Sequence, residues 1–442
     1  MKLKTVYACQ NCAFQTGKWL GKCPNCDQWN TMVEDVINVG KSDSTVTGRR
    51  GVPRTPEKPQ AILQSHTSKA RILTGIGEFD QVIGGGFVDG SLILLSGEPG
   101  IGKSTLTLQI TDRMAAQKEK VLYITGEESV EQVADRAKRL GSKQENIELL
   151  YENNLENILT TLENTKPDFL VIDSIQVMFS NDIPGVAGSL SQVRYVTEVI
   201  MNTIKTHKIP TLLIGHVNKE GNIAGPKVLE HLVDTVLILE GERDHEFRML
   251  RAMKNRFGPI NEVGMFEMTE RGLTEQANLG EKILKNSIQG RPGTALTITM
   301  EGNRPLLMEI QALVSGTPFG YPKRMANGID RNRMELLIAV LQKHTSLSLA
   351  DQDVYVKVTG GLSVQEPAAD LAICAAIVSS FLQIPTPRIL FWGEVDLSGN
   401  VRKAPRLEQR EKAAEKVKLD STFDIKDLKT LVSFLSKTLP KQ

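Results

Sequence analysis

No apolar run in this 442-residue chain approaches the ~20 residues that a membrane-spanning helix needs. The first residues, MKLKTVYACQNC, lack the apolar stretch of a secretory signal, so a soluble, cytoplasmic protein is expected, with no membrane partner. An excess of one charge is also missing: 53 Lys and Arg stand against 52 Asp and Glu. Bulk electrostatics therefore announce no nucleic-acid binder, and any such site must be local. Cysteine is scarce. Four of the five crowd into the first 26 residues and Cys374 stands alone, which excludes a secreted disulfide framework. Short-period repeats are absent as well.

What is present divides into blocks. Residues 1–35 are Cys-rich and compact, and residues 36–70 are polar, basic and rich in Pro, Gly and Ser, as in a flexible linker. Residues 71–275 alternate apolar runs (SLILLSG, KVLYITG, DFLVIDS, IPTLLIGH, DTVLILE) with helical patterns such as KSTLTLQITDRMAAQ. Such alternation predicts an α/β fold with a parallel-rich sheet covered on both faces. Residues 285–442 form a further α/β domain, with strands at ALTITMEG, LLMEIQALV and VYVKVTGGL.

Cys9-x2-Cys12 is followed, ten residues on, by Cys23-x2-Cys26. Two such pairs present four thiolates to one tetrahedral Zn²⁺. A module this small cannot bury much core, so the metal supplies its folding energy. Lys18, Lys22, Trp19 and Trp29 could meet nucleic acid, but the plainer expectation is that the two indole rings form the module's core.

The segment Gly97, Glu98, Pro99, Gly100, Ile101, Gly102, Lys103, Ser104 fits G-x-x-x-x-G-K-[ST] between a strand and a helix. This is a phosphate-binding loop: glycines let backbone N–H groups wrap the phosphates at a helix N-terminus. Lys103 is expected to reach the β- and γ-phosphates of ATP, Ser104 to ligate Mg²⁺, and Thr105 to face the α-phosphate. DFLVIDS ends in Asp173, which is expected to hold Mg²⁺ through water. VLYITGEES carries Glu127 and Glu128 at a strand end, where a carboxylate can orient the attacking water. Glu127 is preferred as the base, with Glu128 the rival. His216 and Asn218 end another strand as γ-phosphate sensors or structural residues.

TGIGEFDQVIGGGFVDGSLILLSGEPGIGKST resembles the entry of the RecA-type ATPase core. The order of four-cysteine ribbon, RecA-like core, KNRFG (Lys254–Gly258) and a further α/β domain is similar to the bacterial RadA (Sms) family of DNA-repair ATPases, over essentially the whole chain. That resemblance implies a homo-oligomer, a hexameric ring, driven by ATP on single-stranded and branched DNA beside the RecA recombinase. Its activity would promote branch migration or processing of recombination intermediates. The alternative is a DNA-stimulated ATPase that loads or remodels recombinase without translocating. In such a ring Lys254 and Arg256 would reach a neighbour's nucleotide and stabilise charge developing in phosphoryl transfer. Residues 180–194 and 218–231 match DNA-facing loops, with Arg194, Lys219 and Lys227 as phosphate contacts.

VYVKVTGGLSVQEPAADLAICAAIVSS resembles the Lon protease domain. Ala368 stands where that family places its nucleophilic serine, and Glu408 where it places its lysine. Ser–Lys chemistry needs a hydroxyl and an amine, so no peptidase activity is expected. Arg324, Arg331, Arg333 and Lys343 are candidates for a DNA-facing surface, and the helix RLEQREKAAEKVK carries no evident site.

Overall fold

The computed structural model describes residues 3–9, 14–25, 27–38, 71–117, 119–215, 227–241, 246–276, 279–286, 291–318, 320–361, 363–421 and 425–437. Cys12, Cys26, His216, Asn218, Lys219 and linker residues 39–70 lie outside them. The chain divides into two compact units, one holding residues 1–243 and 248–275, the other 244–247 and 276–442.

At the N-terminus three antiparallel strands, β1 (Leu3–Cys9), β2 (Gln15–Thr16) and β3 (Met32–Asn38), form a small sheet ordered β2-β1-β3. Its core is Cys9, Cys23 and Met32, with Tyr7 and Phe14 against them. The expectation that Trp19 and Trp29 fill this core is overturned: they are 57% and 70% exposed. The buried places are taken by sulfur-bearing side chains, and the Trp19 indole donates to the Met32 carbonyl at 3.2 Å from the outside.

The ATPase-type core begins with α1 (Gly77–Ile83) and alternates β4 (Leu92–Gly97), α2 (Lys103–Ala116), β5 (Val121–Thr125), α3 (Val130–Arg139), β6 (Ile147–Tyr151), α4 (Leu155–Thr165), β7 (Phe169–Asp173), α5 (Leu190–His207), β8 (Thr211–Ile214), α6 (Lys227–Leu232) and β9 (Thr235–Glu240). Three further strands follow, β10 (Phe247–Asn255), β11 (Val263–Thr269) and β12 (Gly272–Glu275). The sheet order is β12-β11-β10-β9-β4-β8-β7-β5-β6. From β9 to β6 the pairings are parallel, and β10 runs antiparallel to β9. The apolar runs of β4, β5 and β7 are buried throughout because helices cover both faces. One face packs Ile93, Leu95, Tyr123 and Val171 against α2, and the other packs Leu92, Leu94, Ile124 and Ile172 against α4 and α5. Strand polarity therefore places the ends of β4, β5 and β7 along one edge, where ligands of open α/β sheets bind.

The second unit contains α7 (Leu279–Asn286), β13 (Thr294–Glu301), β14 (Arg304–Gly316), β15 (Arg324–Asn327), α8 (Arg331–His344), β16 (Gln352–Val358), α9 (Asp370–Leu382), β17 (Ile389–Leu390), β18 (Glu394–Val395), β19 (Val401–Arg402), α10 (Leu407–Val417), β20 (Asp420–Ser421) and α11 (Leu428–Lys437). Its main sheet runs β15-β16-β14-β13-β17-β20. Helix α9 is buried almost along its whole length, Ala368 just before it is inaccessible, and Glu408 on α10 is exposed. Two readings change here. Arg333 is not a surface cation: it pairs with the buried Asp370 at 2.6 Å and donates to the Glu366 carbonyl. Helix α10 is not featureless, because Arg410 is fully buried, ion-paired with Glu366 and bonded to the Ile298 carbonyl. Among the described residues no helix is long and apolar enough to cross a membrane.

Candidate active site

The loop from Gly97 to Gly102 joins β4 to α2. Its backbone is held where few residues fit: a Cβ on Gly97 would come within 2.5 Å of the Leu239 carbonyl. At the start of α2 the buried Lys103 ammonium donates to the carbonyls of Gly97 at 2.8 Å and Glu98 at 3.0 Å. Burial lowers its pKa from 10.5 to about 8, against the opposing pull of Asp173 and Glu127. The cation thus sits desolvated between backbone oxygens.

Asp173 ends β7 and is itself buried. Burial raises its pKa, while hydrogen bonds from Tyr123 and Ser104 lower it and the charges of Glu127 and Glu128 raise it. The Ser104 hydroxyl and the Asp173 carboxylate thus lie on the same side of the site, and two hard oxygen donors there could hold Mg²⁺. The Tyr123 hydroxyl donates to Asp173 Oδ2 at 2.7 Å.

The two acidic residues after β5 part company. Glu127 accepts a hydrogen bond from the Ser174 hydroxyl, next to Asp173. Glu128 turns to α3 and pairs with Arg136 at 2.6 Å. Arg248, near the start of β10, is buried and donates to the Ile101 carbonyl of the phosphate loop at 3.2 Å. Sequence reasoning passed over Tyr123, Ser174, Arg136 and Arg248. Tyr123 reads as one more apolar strand residue, and only tertiary packing brings the others near.

KNRFG lies at the other end of the sheet. Asn255 on β10 pairs with Thr235 on β9, and Thr235 pairs with Ile93 on β4. Gly97, four residues beyond Ile93, is thus about 13 Å farther along the strands. Lys254 is the last but one residue of β10, just after a register shift, and its ammonium donates to the carbonyls of Glu230 at 2.6 Å and Val233 at 2.8 Å, at the close of α6. Arg256 reaches Asp234 at 3.4 Å and is 52% exposed. Asn255 accepts from the Phe257 N–H at 2.9 Å, and Arg71 donates to the carbonyls of Phe257 and Gly84. Gly258 and Gly84 approach so closely that a Cβ on Gly258 would come within 2.8 Å of the Gly84 Cα. The segment is a braced turn against α1 that presents one half-exposed guanidinium.

Two buried thiols, Cys9 and Cys23, meet in the ribbon core, and Cys9 Sγ lies 3.2 Å from Thr31 Oγ1. Paired soft donors in one small apolar module fit a structural Zn²⁺.

Residues 7–34 match the rubredoxin metal binding domain model, and residues 72–150 match the KaiC ATPase model. The DNA repair protein RadA of Bacillus subtilis is 50% identical over 418 residues, covering 94% of this chain and 91% of that protein. RadA of Listeria monocytogenes is 46% identical over 423 residues, covering 96% and 92%. RadA of a Streptococcus pyogenes M1 strain is 48% identical over 417 residues, covering 94% and 91%. With this much of its length shared, the chain belongs to the RadA family of DNA repair proteins, with a RecA-like ATPase core and an N-terminal zinc ribbon.

Proposed function

We propose that this protein is a DNA-dependent ATPase of recombinational repair, working as a hexameric ring on single-stranded and branched DNA beside the RecA recombinase. Gly97 to Thr105 cradle the triphosphate, and Lys103 neutralises its β- and γ-oxygens. Ser104 and Asp173 would hold Mg²⁺, which when bound would offset charge on those oxygens. Glu127 accepts the proton of the water that attacks the γ-phosphorus while the bond to the leaving ADP breaks; Ser174 holds its carboxylate in place. Arg256 of a neighbouring subunit meets the charge that builds on the transferred phosphoryl group. Lys254 keeps the turn that carries Arg256 in shape. Cys9, Cys12, Cys23 and Cys26 would together hold a structural Zn²⁺. The C-terminal unit is a Lon-like scaffold without peptidase chemistry, since Ala368 offers no nucleophile and is inaccessible.

The observation that carries this reading is the placement of KNRFG and the phosphate loop at opposite ends of one sheet. A half-exposed arginine there is of no use to its own site but is available to the next subunit's.

The test is ATP-fuelled branch migration or unwinding of a forked DNA substrate by the purified protein. Activity that disappears in Lys103→Ala supports the motor. DNA-stimulated hydrolysis with no strand movement on any fork or single-stranded flank replaces it with a regulatory ATPase.

A further inference from the structure

We propose that Tyr123 is a positioning residue that sets the carboxylate of Asp173 for the metal; this rests on the reading of Asp173 as the magnesium-bearing acid. On the parallel strands β5 and β7, Tyr123 lies beside Val171 and Thr125 beside Asp173. Residues two apart on a strand share a face, so Tyr123 and Asp173 are diagonal neighbours on the face covered by α2. The phenol spans that diagonal and places its hydroxyl 2.7 Å from Asp173 Oδ2.

The ring cannot leave. Tyr123 is inaccessible to solvent and is packed in the core cluster with Phe169, Val171 and Leu212. Its hydroxyl is therefore a fixed donor on an immobile ring, and it fixes the carboxylate's rotation. The chemistry of the donor matters. A lysine or arginine at this place would neutralise Asp173 and compete with the cation for it. A neutral phenol holds one oxygen and leaves the negative charge for the metal. Asp173 also feels the like charges of Glu127 and Glu128, and the phenol holds Oδ2 at a fixed place against that repulsion. Outer groups that orient metal-binding side chains commonly matter by 10- to 100-fold in metal affinity.

The experiment is a titration of the purified protein with a fluorescent methylanthraniloyl-ADP, first at varied Mg²⁺ and then in EDTA, for wild type, Tyr123→Phe, Asp173→Asn and the double variant. Phenylalanine keeps the ring and removes one oxygen, so the packing survives. The expected result is a Mg²⁺ midpoint raised about tenfold or more in Tyr123→Phe, with affinity in EDTA within about twofold of wild type. In the Asp173→Asn background the same change should move the midpoint no further, because the phenol acts only through that carboxylate. An unchanged midpoint in Tyr123→Phe overturns the inference. So does a parallel loss of affinity in EDTA, which would mark the tyrosine as a general support of the phosphate loop. A Mg²⁺ midpoint that Asp173→Asn leaves unchanged instead overturns the metal role of Asp173 itself, and the inference with it.

Discussion

Arg256 approaches Asp234 at 3.4 Å, on the edge of the sheet remote from Lys103. Asp234 is buried, and it also accepts from the Leu92 N–H at 3.1 Å and from Lys205 at 3.3 Å. The carboxylate is thus anchored at the foot of β4, whose opposite end starts the phosphate loop. A guanidinium resting on it is held at a defined place yet stays half exposed.

Arg256 and Lys254 should therefore fail in different ways. Arg256→Ala should cut ATP turnover by a hundredfold or more, as loss of an arginine finger does, while nucleotide affinity and melting temperature stay near wild type. Lys254→Ala removes the donor to Glu230 and Val233 at the end of α6, and should lower stability by about 1 kcal/mol. Turnover, fluorescent-nucleotide binding and calorimetric melting separate the two. Equal loss of melting temperature in both variants would contradict this division.

Glu127 and Glu128 can be told apart by charge-neutral substitution. Glu127→Gln should lose about 10²-fold or more in turnover, the usual range for a general base, with nucleotide binding retained. Glu128→Gln loses its partner Arg136 on α3 and should stay within a few-fold of wild type. The reverse order in a steady-state ATPase assay would reassign the base.

The pH dependence of nucleotide binding follows from Lys103, whose pKa burial lowers to about 8. Phosphate needs the ammonium form, so above pH 8 binding must take up a proton and affinity should fall as pH rises from 7 to 9. The sign for stability is opposite. The empty site disfavours the charged lysine, so that penalty is complete below pH 8 and is relieved as pH rises from about 8 toward the unfolded value of 10.5. Calorimetry of nucleotide binding in two buffers of different ionisation enthalpy measures the proton uptake directly. No uptake at pH 9 would contradict it.

In the C-terminal unit, Glu366→Ala should cost about 3–5 kcal/mol, because it leaves the fully buried Arg410 without its carboxylate. Denaturant melting followed by far-UV circular dichroism reads this out. A change below about 1 kcal/mol, the value of an exposed pair, would show that the pair is solvated.

The sequence made some of this legible and hid the rest for physical reasons. SLILLS and DFLVID are near-continuous apolar runs because helices cover both faces of their strands, and that pattern is visible without coordinates. The phosphate loop is equally plain, since its glycines and lysine have no common alternative use. Tyr123 is not, because a phenol in VLYIT looks like core until strand register sets Asp173 diagonally across from it. The different settings of Glu127 and Glu128 needed Arg136, nearly two turns into α3. Arg410 sits in a helix whose composition is that of a solvated surface, and only tertiary packing buries it. The tryptophans of the ribbon misled for the opposite reason: their size suggests a core, but the interior is taken up by Cys9, Cys23 and Met32.

The claim on which the account turns is that one subunit's Arg256 completes another's site. Mixing Lys103→Ala subunits with Arg256→Ala subunits tests it most directly. Each variant alone should be nearly inactive, but a mixed ring contains junctions with an intact phosphate loop on one side and an intact Arg256 on the other. ATPase activity that reappears on mixing, peaks near equal proportions and grows with DNA present is the predicted result. Absence of recovery at every ratio, in rings shown to exchange subunits, would contradict the account.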